Sequence, residues 1–204
     1  MLNILICYDW IVKITSETLD ALLGALSEQL AALGSRIEMV VIGGSALMAL
    51  GLVPRATRDV DLLAIAVAGE LRPAEPLPNA LLSARAAVAR DFGLDENWLN
   101  AGPTDLIKWG LPDGFMSRLV TRPYGPALVV HFAGRIDQIH FKLFAMVDQG
   151  GGRHETDLRA LGPSAAELIA AARWSITQDP SPGYRAVLVE ALRYLGVDDA
   201  DLEP

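Results

Sequence analysis

The sequence holds one cysteine, Cys7, in 204 residues. That excludes an intramolecular disulfide and a zinc site built on cysteine pairs. Histidine is scarce too: His131, His140 and His154 are the only three. None stands four residues from another, as a helical metal pair requires. Lysine is confined to Lys13, Lys108 and Lys142. The formal net charge is −8, which argues against a protein that coats nucleic acid through bulk electrostatics and leaves room for a local basic site. Long apolar runs are absent. The longest, such as Val60–Val67, are strand-sized and well short of a membrane span. The opening MLNILICYDWIVK lacks a basic n-region and carries Asp9 and Lys13. It reads as a first element of the fold rather than a signal peptide, and a cytoplasmic location with no membrane partner is expected.

What the chain has is apolar bulk. It is 51% hydrophobic and 21% charged, enough for a full core and against disorder. Its length suits one domain, or a domain with a helical appendage. Leucines at 19, 22, 23, 26, 30 and 33 repeat with the period of an amphipathic helix. Thr15 or Ser16 can cap its start and Gly34 can end it. IEMVVIG then reads as a strand, SALMALGL as a short helix, VPRATR as a loop and DVDLLAIAV as a buried, central strand. Three prolines mark 69–78 as a linker. NALLSARAAVARDFG reads as a helix, and an irregular segment with Trp98 and Trp109 follows it. Residues 115–122 and 127–132 read as strands joined by a Pro-Tyr-Gly-Pro turn. Four helices complete the chain. In the first of them Ile136, Ile139, Leu143 and Met146/Val147 mark the buried stripe. Another opens on the capping box Ser164-x-x-Glu167. This order predicts an α/β (α+β) architecture. A mixed sheet flanked by helices would occupy 1–134, with a helical bundle over 135–204 packed against it.

One stretch points to chemistry, residues 42–63, IGGSALMALGLVPRATRDVDLL. A Gly-Gly-Ser turn leading into a helix offers backbone N–H groups that can hold a phosphate. The plain alternative is that glycines sit at a strand-to-helix turn for steric reasons. Asp59 and Asp61, one residue apart on a strand, share a face. Two carboxylates on one face can hold Mg²⁺, which a nucleoside triphosphate (NTP) carries. The plain alternative is that this face meets water at a sheet edge. Farther on, Arg135, Gln138 and Lys142 share one face of a helix at i, i+3 and i+7, as a phosphate-binding face or a solvated one. Arg55, Arg58, Arg118, Arg122, Arg135, Lys142 and Arg153 together could make a positive site inside a negative molecule.

The pattern Gly43-Gly44-Ser45, short helix, Arg55-x-Thr57-x-Asp59-x-Asp61 resembles the signature of the DNA polymerase β-type nucleotidyltransferase superfamily. The RATRDVD form is similar to a minimal bacterial branch that includes AbiEii-type toxins and MenT-type tRNA nucleotidyltransferase toxins. The later segment resembles the same branch through Lys142-Leu143-Phe144-Ala145, then Arg153, then Asp157-Leu158. The resemblance covers roughly residues 37–162. It implies a nucleotidyltransferase-like fold in which Gly43, Gly44 and Ser45 hold the triphosphate, with Arg55 and Thr57 beside them. It further implies that Asp59 and Asp61 bind Mg²⁺, that Lys142 pairs with a phosphate, and that Asp157 orients Lys142 or contacts the nucleotide. Asp59, Asp61, Lys142 and Asp157 are then the catalytic group.

Full polymerase β-type enzymes carry a third carboxylate on a later strand. The corresponding strand here, ALVVHFAG, has His131 as its only polar side chain. His131 is either a neutral ligand or base, or a core histidine with a hydrogen bond. His140 reads as packing and His154 as part of a helix cap. Trp98-Leu99-Asn100 frames a pocket or anchors a loop. Three functions follow as expectations. The first is an Mg-dependent nucleotidyltransferase moving an NMP to a hydroxyl, with tRNA as acceptor and a cognate antitoxin as partner. The second is a non-catalytic NTP- or partner-binding module. The third is an antibiotic-modifying nucleotidyltransferase.

Overall fold

The computed structural model describes residues 13–198 and residue 202. Cys7, Asp9 and the rest of the expected first element, apart from Lys13, lie outside the described residues. Helix α1 (Ser16–Ala32) begins at a capping box in which Thr15 and Thr18 exchange bonds, Thr15 N–H to Thr18 Oγ1 at 2.8 Å and Thr18 N–H to Thr15 Oγ1 at 3.3 Å. Its leucine stripe is buried from Leu19 to Leu30, while Leu33, beyond the last turn, is exposed.

Strand β1 (Ile37–Ile42) leads into α2 (Gly43–Ala49). Then come β2 (Val60–Val67), β3 (Glu70–Pro73), α3 (Asn79–Phe92) and the short β4 (Leu99–Asn100). After two 3-10 turns, β5 (Val120–Tyr124) and β6 (Leu128–Phe132) complete the sheet. The strand order is β3-β2-β1-β6-β5, with β4 also pairing with β2. β1 runs parallel to β6 and antiparallel to β2. This is the mixed sheet flanked by helices that the sequence predicts.

Two expectations at the sheet edges need correcting. The 69–78 segment is not all linker, because Glu70–Pro73 pairs with β2. Phe115–Arg118 is a 3-10 turn, and the strand starts only at Val120. Both edge strands contain proline, Pro73 and Pro123. Proline has no N–H to give a ladder, so an edge can hold it where an inner strand cannot. Proline-rich sequence therefore reads as loop although the outermost position in the sheet accepts it.

β1 is apolar because both of its faces are covered. Met39 and Val41 join the α1 leucines, Leu62, Val130 and Phe132 in one cluster. Val40 and Ile42 join Leu63, Phe141 and Trp174 in another on the opposite face. That second face is covered by α4 (Arg135–Gln149), which continues into α5 (Arg153–Ala160), α6 (Ala165–Gln178) and α7 (Pro182–Tyr194). Their own cluster includes Leu143, Leu158, Leu168, Leu188 and Leu192, and it takes in Leu47 of α2. α4 therefore lies between sheet and bundle. Its buried surface runs from Asp137 through Leu143 without a gap, where the sequence predicts one stripe, and Ile136 of that stripe is only partly buried. Among the described residues no helix is long and apolar enough to cross a membrane.

Candidate active site

The two glycines after β1 are set by close approach. Gly43 has φ +73°, and a Cβ there would sit 2.3 Å from Oδ2 of Asp61. Only a residue without a side chain lets the backbone come so near that carboxylate. A Cβ on Gly44 would sit 3.0 Å from Thr57 Oγ1. The turn thus presses against the Asp59–Asp61 segment from one side. Its donors, however, are partly engaged. The Gly43 N–H donates to Oε1 of Gln138 on α4 at 3.2 Å. Ser45 is fully buried, and its hydroxyl turns back to the Ile42 carbonyl at 3.5 Å. A serine in a first helical turn readily bonds backward along its own chain. The expectation that Ser45 faces a triphosphate is corrected accordingly.

Asp61 lies on β2 opposite Ile42 of β1 and beside Asn100 of β4. β2 is an inner strand, so its carboxylate does not lie at a sheet edge. Asp59 immediately precedes the strand and accepts from Thr57 Oγ1 at 3.2 Å. Thr57 is itself pinned by a two-way backbone pairing with Ile14, at 2.8 and 2.9 Å. Asn100 Nδ2 donates to Asp61 Oδ1 at 3.4 Å, and its own Oδ1 accepts the Gly102 N–H at 2.9 Å. Burial pushes the Asp61 carboxyl above the ordinary carboxylate range and neighbouring Asp59 adds to this, while Asn100, Lys142 and Arg153 pull it back. Among the described residues no group of three or more His, Cys, Asp or Glu side chains assembles for a metal. Two carboxylates nonetheless supply the oxygen donors that Mg²⁺ takes from a protein when phosphates and water complete its shell. The donor set fits that ion.

The cationic side of the site comes from three elements. Lys142 of α4 reaches Asp157 of α5 with Nζ at 2.8 Å. Arg55, in the loop before β2, grips the same carboxylate with Nε at 2.6 Å and Nη2 at 2.5 Å. Asp157 is 1% exposed and Lys142 5%. Burial pushes the Asp157 carboxyl up, but the Arg55 and Lys142 bonds outweigh it and hold the group below its usual range. The same bond raises the Arg55 guanidinium, against the effect of its burial.

Three expectations change here. Lys142 does not lie on a solvated face. Arg55 is bound to Asp157 and is not a free nucleotide ligand. Asp157 is enclosed, so it orients cations and does not reach a nucleotide. The predicted polar face of α4 also divides: Arg135 pairs with Glu167 at 2.6 Å, Gln138 takes Gly43, and Lys142 takes Asp157. Arg118 closes on Asp137 at 2.5 Å, and Arg122 lies over the Phe132 ring at 5.7 Å. Arg55 and Lys142 meet on Asp157, and Lys142 shares the cleft with Arg153, whereas Arg118, Arg122 and Arg135 are engaged elsewhere.

Asp61, Gly43, Lys142, Arg153 and His154 line a cleft of about 480 Å³ together with Leu106, Trp109, Phe141 and Phe144, and Asp105, Gln149 and Gln178 are also in its lining. The volume lies within the range of small-molecule sites. His154 is not merely part of a helix cap. Burial first, then Lys142 and Arg153, lower it to about 4, so it is neutral at pH 7. His131 bonds Thr121 at 2.8 Å, lies 3.5 Å from Glu38, and is not among the residues lining the cleft. His140 packs edge-on to Trp174, as expected of a core residue. Trp98 is a buried anchor whose Nε1 donates to the Arg85 carbonyl at 3.1 Å.

Sequence reasoning misses Gln138 as the partner of Gly43, and Asn100 as the neighbour of Asp61. An amide side chain has no charge signature, and β4 is too short for its pairing to be read from pattern. Set against protein-family models, curated proteins and solved structures, the chain matches none of them.

Proposed function

We propose that the cleft binds an NTP as its magnesium complex, and that the chain is a nucleotidyltransferase moving an NMP to a hydroxyl. The observation that carries this is Asp61 packed against Gly43 in the cleft, with Asp59 two residues before it and Asp61 held above its ordinary ionisation range. Lys142 and Arg153 share its cleft. Mg²⁺ held by Asp59 and Asp61 would neutralise their charge and draw the phosphates toward them. Gly43 keeps the backbone low enough for that approach. Lys142 presents a point charge to a phosphate oxygen, and Asp157 with Arg55 fixes the ammonium in place. Arg153, exposed at the start of α5, adds a second cation at the same end. In the transfer the acceptor hydroxyl oxygen would bond the α-phosphorus and lose its proton to solvent, while the bond to the β-phosphate breaks and pyrophosphate leaves. The resemblance to the toxin branch suggests tRNA as acceptor, a cognate antitoxin as partner and a cytoplasmic setting.

The test is incubation with Mg²⁺, each labelled NTP and total RNA. Transfer of label by the wild type, and none by Asp61→Ala, is the expected result. No transfer by the wild type, or equal transfer by Asp61→Ala, removes the assignment. Two observations favour a second reading, a non-catalytic NTP-binding module. The Gly43 N–H is already taken by Gln138, and the side chain that β4 sets beside Asp61 is the amide of Asn100, not a further carboxylate. Tight Mg·NTP binding without turnover would select that reading.

A further inference from the structure

The cleft has a mixed lining. Asp61, Lys142 and Arg153 form its charged end, and a magnesium triphosphate accounts for them. That ligand leaves unused the aromatic side chains Trp109, Phe141 and Phe144, which line the cleft with Asp105 and Gln178 among them. Trp109 is 69% exposed, whereas Trp98 and Trp174 are 1% and 9% exposed. Leaving an indole in water forgoes a large burial gain.

The exposure does not come from a loose loop. The carbonyl of the next residue, Gly110, accepts from both Trp174 Nε1 and Gln178 Nε2 of α6, each at 3.0 Å. Gly110 has φ +94°, a backbone state that glycine adopts at no steric cost. On the other side, the Lys108 N–H closes onto the Asp105 carbonyl at 3.0 Å. Trp174, which pins the turn, packs edge-on to Phe141 and Phe144, with ring centroids 5.5 and 6.0 Å away. Both phenylalanines line the same cleft. The turn that carries Trp109 is thus fastened, through Trp174, to two phenylalanines of the cleft lining.

We propose that Trp109 is the stacking platform for the nucleobase of the bound NTP. This rests on the reading that the charged end takes the magnesium triphosphate. Base–aromatic stacking contributes to affinity whichever base is present, because every base has a π-face. The platform therefore predicts tolerance among NTPs, with the larger purines held more tightly than pyrimidines.

Calorimetric titration of Mg·ATP, Mg·CTP and magnesium tripolyphosphate into wild type, Trp109→Ala and Trp109→Phe tests this. Tripolyphosphate has no nucleoside and reports the charged end alone. The expected result is a loss of ATP affinity of about 5- to 150-fold in Trp109→Ala. The loss should be smaller for CTP, Trp109→Phe should retain most of the affinity, and tripolyphosphate should bind all three proteins alike. Equal ATP binding by wild type and Trp109→Ala overturns the platform. So does wild type that holds ATP no more tightly than tripolyphosphate; both results leave the charged end standing. Failure of wild type to bind either ligand overturns the reading of the cleft, and the platform with it.

Discussion

Helix α4 carries two buried charges five residues apart, and they are neutralised in different ways. Asp137 is fully buried and meets one guanidinium, that of Arg118. Lys142 meets a buried carboxylate, Asp157, which is already held by Arg55. The first group balances, one negative with one positive. The second has two cations for one anion and carries a net charge of +1. The balanced pair belongs to the packing of α4 against the turn before β5. The unbalanced one reaches the cleft through Lys142, which lines it together with Asp61. A buried ion pair is weak evidence for stability, since desolvating two charges offsets much of their attraction. An uncompensated one beside a carboxylate pair is better read as a site.

The largest expected contrast comes from removing the acid in each group. Asp157→Ala strands the buried Lys142 ammonium and should lower unfolding stability by about 3–5 kcal/mol in urea titrations, whereas Asp137→Ala leaves a partly exposed Arg118 that can turn to water and should cost less. Only Asp157→Ala should also abolish NTP binding at a temperature where both variants remain folded. Equal binding losses would erase the distinction. The Asp157 contribution should also have a pH signature. Its folded ionisation lies below its unfolded one, so the stability it adds is present above the ordinary carboxylate range. That stability is lost as pH falls through the folded value. The urea midpoint of wild type should therefore fall on acidification more steeply than that of Asp157→Asn.

Asp61 should behave in the opposite sense. Its folded ionisation is raised, so its contribution is present below the ordinary range and is lost as pH rises through the folded value. Asp61→Asn should melt higher than wild type at pH 7, and the gap should close at low pH. Added Mg²⁺ should raise the wild-type Tm and leave the variant unmoved. A lower Tm for the variant at pH 7 would mean that the carboxylate pair is already compensated.

Gly43→Ala should come next. It forces a Cβ against Asp61 at a left-handed φ, with an expected cost of about 1–3 kcal/mol, and it should weaken Mg·NTP binding by displacing that carboxylate. Gly44→Ala meets Thr57 at the looser 3.0 Å and should be milder on both counts.

The sequence reads well where one pattern meets one environment. The α1 leucines, the β1 and β2 runs and the Ser164–Glu167 cap all repeat a period or a spacing that burial enforces. It reads poorly where partners are distant in the chain. By spacing alone Lys142 looks like one residue of a polar face; only the resemblance links it to Asp157, and its co-ligand Arg55 is 102 residues from that acid. Gln138 meets Gly43 across 95 residues and Asn100 meets Asp61 across 39. Trp109 could not be told from a buried anchor such as Trp98, since exposure is decided by how Gly110 is pinned to α6 and not by composition. The third carboxylate was sought on β6, where His131 instead bonds Thr121 on the neighbouring edge strand. Paired with the functional end of β2 is β4, two residues long and too brief to carry a period.

The central claim is that the carboxylate pair and the surplus cation form one Mg·NTP site. Calorimetry with ATP, in the presence and absence of Mg²⁺, on wild type and on Asp61→Asn tests it most directly. The account predicts binding by wild type that requires Mg²⁺, and little or none by Asp61→Asn. Binding that is indifferent to Mg²⁺, or equal in the two proteins, would contradict it.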